Sequence, residues 1–278
     1  MGYKLITIDM DDTLLTTAKE ISKKNKVMIQ KAIANGTKVV LCSGRPHKAM
    51  YDYARSLGIK GNDNYMITNG GAIIENMNGE IFYQKTLGND FYREFVSFVK
   101  EHVFPYCVLD IQGNTYTSGF EFIDNYTIAM AYENGRGLYI KEPEDLAADF
   151  EITKAVINGN EQRLDEITDF ISRQFSNYFV VRTGVGYLEI FPKNVNKGEA
   201  VKYLAQQLEI RLEDVLAIGD RDNDISMLET AGTGIAMGNA QAGVKAVSDY
   251  ITTDNNHDGV GNAIEKFVIE WFLYFNFI

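Results

Sequence analysis

The stretch "LITIDMDDTLLT", residues 5–16, decides the fold. It opens as an apolar strand-forming run and stops in three aspartates, Asp9, Asp11 and Asp12. Like charges repel, and carboxylates beside a core lose hydration that is costly to replace. A strand that ends this way calls for a compensating cation at its C-terminal end. Side chains two apart in extended chain point the same way, so the spacing predicts Asp9 and Asp11 on one side and Met10 on the other.

Working outward, apolar strands alternate with helices. "SKKNKVMIQKAIANG" predicts a helix capped by Ser22 and ended at Gly36, with Val27, Ile29, Ala32 and Ile33 toward one side. "TKVVLCSG" reads as a buried strand, "RPHKAMYDYARSLG" as a helix between Pro46 and Gly58, and "NYMITNGG" as another short strand. The pattern returns late in the chain with "DVLAIGD", "NDISMLETAG", "TGIAMGNA", "AGVKAVSDYITTD" and a closing helix from about Gly261. Such alternation predicts an α/β core, a Rossmann-like doubly wound parallel sheet covered on both faces. From Leu87 to Glu189 the chain is richer in Tyr and Phe and changes character. There "YREFVSFVKEHV" reads as helix, "YCVLDIQGNTYTSG" as hairpin, "RLDEITDFISRQF" as helix and "YFVVRTGVGYLEIFP" as two antiparallel strands. The predicted organisation is therefore a core over 1–86 and 190–278, with an inserted α+β cap domain over 87–189.

Composition narrows the function classes. With 278 residues, 45% hydrophobic and 23% charged, the chain has the profile of an ordinary globular protein. A net charge of −11 without a dense Lys/Arg block argues against nucleic acid and anionic membrane as partners. The two cysteines, Cys42 and Cys107, lie in neither disulfide-framework nor zinc-site spacing, and a reducing cytoplasm is the expected location. The apolar tail "FVIEWFLYFNFI", residues 267–278, is too short to span a bilayer and is broken by Glu270. It is expected to pack on the body or to offer an oligomer contact to a second copy, with a peripheral membrane contact as the alternative.

In open parallel sheets, ligands bind outside the carboxyl ends of the strands. Those ends here carry Asp9, Ser43, Asn69 and Asp220. Together with Asp11 and Asp224, the acidic groups form an oxygen-only donor set that suits Mg²⁺, which commonly completes its shell with water and phosphate oxygens. Ser43, the backbone N–H groups at Gly44 and Arg45, and Lys197 in "NVNKGEA" would complement a phosphate.

These residues carry a resemblance. "DMDDT" at 9–13, "LCSG" at 41–44, Lys197 in "NKGEA" and "GDRDND" at 219–224 resemble the four ordered motifs of the haloacid dehalogenase-like superfamily. "TNGG", "NKGEAVKYLAQQLEI" and "GDRDNDISMLETAG" are similar, more narrowly, to the Cof-type phosphatases, which hydrolyse sugar phosphates and related metabolites. The resemblance implies that Asp9 is a nucleophile forming an aspartyl-phosphate and a Mg²⁺ ligand. Asp11 would be general acid and base and would lend its backbone carbonyl to the metal, alongside Asp220, with Asp224 in support. Met10 (through its N–H), Ser43, Gly44, Lys197 and Asn223 would hold phosphate. The cap would select a small phosphorylated metabolite as substrate. A phosphotransferase or mutase using the same phosphoenzyme, and a non-enzymatic phosphate sensor, are the alternatives.

Such motifs usually place Gly where this chain has Asp12, and Asp12 is expected to point away as a turn or capping residue. Thr13 is expected to bond local backbone. Arg45 and Asn69 read equally as substrate contacts or structural groups, whereas Tyr106, Tyr116 and Tyr187 read as core and the three histidines as packing or surface groups.

Overall fold

The computed structural model describes residues 2–270, so most of the apolar tail, residues 271–278, lies outside the described residues. Two compact units emerge. The first comprises 1–43, 50–82 and 196–278, and the second 44–49 and 83–195.

In the first unit, the elements in chain order are β1 (Leu5–Ile8), α1 (Lys23–Ala34), β2 (Lys38–Cys42), α2 (His47–Leu57), β3 (Tyr65–Thr68), β4 (Ile73–Asn76) and β5 (Ile81–Gln84). They continue with α3 (Lys197–Gln207), β6 (Val215–Gly219), α4 (Ile225–Thr230), β7 (Thr233–Ala236), α5 (Ala242–Val247), β8 (Tyr250–Ile251) and α6 (Gly259–Ile264). The sheet runs β8-β7-β6-β1-β2-β3-β4-β5. From β8 to β3 every neighbouring pair is parallel, and β4 turns back antiparallel to β3. β1 therefore lies at the centre, flanked by β2 on one side and by β6 on the other. Leu5, Ile6 and Ile8 are fully buried there, each worth about 1.5–3 kcal/mol.

Ser22 caps α1 by accepting from the Asn25 N–H, as its sequence predicts. The buried face differs from the predicted one: Asn25, Met28, Ile29 and Ala32 point inward, while Val27 is exposed. Asn25 is the reason for the rotation. Its side-chain oxygen accepts from the Gly261 N–H at 2.7 Å, tying α1 to α6 and displacing an apolar residue from that position. The antiparallel β4 and the neighbouring β5 were not anticipated, although Asn78-Gly79 between them is a strong hairpin signal.

The second unit has a largely antiparallel sheet in the order Phe179–Gly184, Tyr187–Phe191, Glu151–Asn158, Tyr106–Asp110, Thr115–Thr117, Leu138–Ile140. Helices Asn89–His102 and Glu161–Gln174 bury Phe91, Phe95, Val99, Leu164 and Ile171 in its aromatic core. Both hairpins read from the sequence are present. Helix Asn125–Asn134, capped by Asp124, and strand Leu138–Ile140 were not read. Tyr106 is fully buried, and its hydroxyl accepts from the Ser118 N–H. Tyr116 donates to Asp110 and Tyr187 to the Tyr126 carbonyl, so all three tyrosines have structural partners.

Cys42 and Cys107 are both free and buried. Among the described residues, no helix is long and apolar enough to cross a membrane.

Candidate functional site

Chain order reverses at β1. The chain proceeds from β1 through β2 to β3 on one side and resumes at β6 on the other. That makes the carboxyl ends of β1 and β6 a topological switch point, where ligands bind in open α/β sheets. Asp9 directly follows β1, and Asp220 directly follows β6.

Strand alternation does not reach Asp11, because β1 ends at Ile8. Residues Met10–Leu14 wind into one wide turn in which the Leu14 and Leu15 N–H groups donate to the Asp9 and Met10 carbonyls. Asp9 and Asp11 nonetheless keep extended backbone angles, and the Asp11 charge adds to the repulsion that raises the Asp9 carboxyl. Met10 is buried. Asp11 also accepts from Lys19 Nζ at 2.8 Å, with its side chain about a third exposed at 34%.

Lys197 stands at the start of α3 with its side chain 1% exposed. Its ammonium donates to Asp9 Oδ1 at 2.5 Å and to Asp224 Oδ1 at 2.6 Å. Two glycines permit this placement. Gly71, in the turn after β3, has φ +100, and a Cβ there would lie 2.4 Å from the Asn196 carbonyl oxygen. Gly198 would clash in the same way with the Ser226 carbonyl at 2.2 Å, so the first turn of α3 can seat against α4 only without side chains at those points.

Asp224 has both oxygens engaged. Oδ1 holds Lys197, and Oδ2 accepts from the backbone N–H groups of Asp220 and Arg221 at 2.9 and 3.1 Å. Thr13 Oγ1 donates to Asp220 Oδ1 at 2.6 Å, a bond across the site where local backbone was the expected partner. Asp12 takes the left-handed turn, φ 60, as expected of a turn residue, and its Oδ2 accepts from Arg221 Nη2 at 2.8 Å. Lys19, Thr13 and Arg221 were missed as site groups by sequence reading, although Thr13 and Arg221 stand inside the quoted motifs.

Asp9, Asp220 and Asp224 are buried and bring carboxylate oxygens within 4.8 Å of one another. Three carboxylates face one ammonium, leaving two negative charges if all are ionised. Burial, then repulsion by Asp224, pushes Asp9 up from 3.8 to about 7 against the pull of Lys197. Asp220 is pushed up to about 8 by burial and by Asp9 and Asp224. Burial opposes the Lys197 charge, but Asp224 and Asp9 outweigh it and hold the ammonium protonated. A surplus of buried anionic oxygen is the donor chemistry of a hard divalent cation, so the residues present fit one.

Other predicted residues are placed as follows. Ser43 is buried immediately after β2, and its carbonyl accepts from the Gly70 N–H at 2.9 Å. Gly44 groups with the second unit, where its carbonyl accepts from Lys154 Nζ at 3.3 Å. Asn223 lies in the single turn before α4, and its buried Oδ1 has no hydrogen-bond partner among the described residues.

The sequence profile of the haloacid dehalogenase-like hydrolases matches residues 6–264. The chain belongs to this family. The hydrolase is 31% identical over 272 residues to the 5-amino-6-(5-phospho-D-ribitylamino)uracil phosphatase YcsE of Bacillus subtilis, covering 97% of each chain. It is 28% identical to the phosphatase YwpJ of the same organism, covering 94% of this chain and 99% of that one. A solved haloacid dehalogenase-like hydrolase from Bacteroides thetaiotaomicron superposes with a TM-score of 0.81 at 30% identity, over 95% of the hydrolase and 99% of that chain.

Proposed function

We propose that this hydrolase is a phosphatase that cleaves a small phosphorylated metabolite, a sugar phosphate by class, through an aspartyl-phosphate on Asp9. The observation that carries the reading is the buried Asp9 carboxylate at the switch point, 2.5 Å from Lys197 and grouped with Asp220 and Asp224. The names of YcsE and YwpJ as phosphatases support it. A cytoplasmic location belongs to the same reading.

In this mechanism Asp9 attacks phosphorus while Asp11 gives a proton to the departing alkoxide, so the P–O ester bond breaks as the Asp9–phosphorus bond forms. Asp11, now a carboxylate, takes a proton from water, which attacks phosphorus, regenerates Asp9 and releases inorganic phosphate. Lys197 neutralises charge on the phosphoryl oxygens and keeps Asp9 in place. Ser43, the N–H groups of Met10 and Gly44, and Asn223 hold the remaining oxygens. Asp9, the Asp11 carbonyl and Asp220 would hold Mg²⁺, which supplies a Lewis acid that lowers the repulsion between carboxylate and phosphate dianion. Asp224, with both oxygens committed, supports this set by fixing Lys197 and the 220–221 backbone.

The test is phosphate release across a panel of sugar phosphates, nucleotides, flavin mononucleotide and pyridoxal phosphate with Mg²⁺. Release from at least one ester, lost in Asp9→Asn, is the expected result. Equal turnover by Asp9→Asn would remove the nucleophile assignment.

A further inference from the structure

Asp12 occupies a left-handed backbone position, φ 60 and ψ 6, where glycine is unstrained and aspartate is merely tolerated. Its side chain makes a contact that glycine could not make. Asp12 Oδ2 accepts from Arg221 Nη2 at 2.8 Å, and the Asp12 carbonyl accepts from Asn239 Nδ2 at 2.8 Å. Arg221 is the residue after Asp220, and its Nε stands 3.8 Å from Asp220 Oδ2, within ion-pair distance but beyond hydrogen-bond reach. The other oxygen, Asp220 Oδ1, already accepts from Thr13. Oδ2 is thus the oxygen of Asp220 that a guanidinium could cap, and Arg221 is the guanidinium beside it.

Arginine pairs with carboxylates through two parallel N–H bonds when geometry allows. Asp12 is the carboxylate that holds the Arg221 fork at hydrogen-bond distance. We propose that Asp12 is a positioning residue for the cation site: it draws Arg221 aside and so leaves Asp220 Oδ2 open to a divalent cation. The bridge also ties the turn that carries Asp9 to the loop that carries Asp220 and Asp224, because the Arg221 N–H donates to Asp224 Oδ2. This inference rests on the reading of Asp220 as a cation ligand.

The experiment is calorimetric titration of Mg²⁺ into the full-length, metal-stripped protein without substrate. Asp12→Gly keeps the turn and frees Arg221, and it is expected to weaken Mg²⁺ binding about tenfold, the lower end of what loss of an outer partner costs a metal site. Arg221→Met alone should bind Mg²⁺ at least as tightly as the parent, because no guanidinium is left to approach Asp220 Oδ2. The double variant Asp12→Gly/Arg221→Met should return to the parent affinity, because no guanidinium remains to be drawn aside. Asp12→Asn, which keeps an acceptor but no charge, should fall between parent and Asp12→Gly and serves if the glycine variant folds poorly. Unchanged affinity in Asp12→Gly, or a double variant as weak as Asp12→Gly, overturns the proposal. Asp220→Asn separates it from its premise. If Asp220→Asn abolishes binding while Asp12→Gly has no effect, only the role of Asp12 falls; if Asp220→Asn binds Mg²⁺ like the parent, the cation ligand assignment falls and this inference with it.

Discussion

Replacing Lys197 by methionine removes the single ammonium from a buried acidic group while keeping an unbranched side chain of similar length. Asp9 and Asp224, at 2.5 and 2.6 Å from Nζ, are then left without their cation. Breaking a buried ion pair from one side costs about 3–5 kcal/mol. At about 2–4 °C per kcal/mol for a domain of this size, the metal-free melting temperature should fall by roughly 6–20 °C. The loss should depend on pH. Lys197 lowers the Asp9 affinity for protons, so its removal raises a folded-state value that already lies above 3.8. A raised carboxyl contributes stability that is present below its unfolded value and lost as pH rises through its folded value. The variant should therefore trail the parent by more at pH 8 than at pH 5. Differential scanning calorimetry in chelator at both pH values measures this. A loss below about 1 kcal/mol, or an equal loss at both pH values, would refute the electrostatic account, since a packing defect does not titrate.

The parent protein should show a milder form of the same behaviour. Without metal, burial and mutual repulsion raise Asp9 to about 7 and Asp220 to about 8 against 3.8 unfolded, so stability should decline as pH rises from about 4 to about 8. Saturating Mg²⁺ should flatten that slope, and identical melting curves with and without Mg²⁺ would contradict it. Gly71→Ala puts a Cβ 2.4 Å from the Asn196 carbonyl at φ +100. It should lower both melting temperature and turnover by displacing the start of α3, and a variant unchanged in both would show that Lys197 does not depend on that seat.

The sheet was legible because the strands bordering the site are continuous apolar runs that end in polar residues, as in β1, β2 and β6. The convergence of Asp9 and Asp220 followed from the rule that strand ends gather at one edge, whereas Lys197, at the start of a helix, was placed by its motif alone. Local geometry was not legible. Whether Asp11 continues a strand or enters a turn depends on which amides the Asp9 and Met10 carbonyls capture. The destination of Asp12 depends on Arg221, 209 residues away in the chain, and the Thr13 bond to Asp220 spans 207. Such pairings leave no periodic trace. The inward turn of Asn25 was hidden for the same reason, because its partner is the Gly261 amide. Helix Asn125–Asn134 is apolar on several sides and lacks a clear stripe, so "NYTIAMAYEN" gave no helical signature despite its Asp124 cap.

The central place of β1 has a consequence for how the chain is made. One edge of β1 pairs with β2, with Leu5 opposite Lys38, but the other pairs with β6, with Leu5 opposite Val215. At about 5–20 residues per second, the ribosome delivers that second partner roughly 10–40 s after the first strand has emerged. Throughout that interval a fully buried central strand of the finished sheet presents an open edge, which is a template for pairing with other chains. The late-arriving segment that brings Asp220 to Asp9 is also the one that closes this edge, so a nascent chain becomes safe from aggregation at the same moment that it acquires its acidic site.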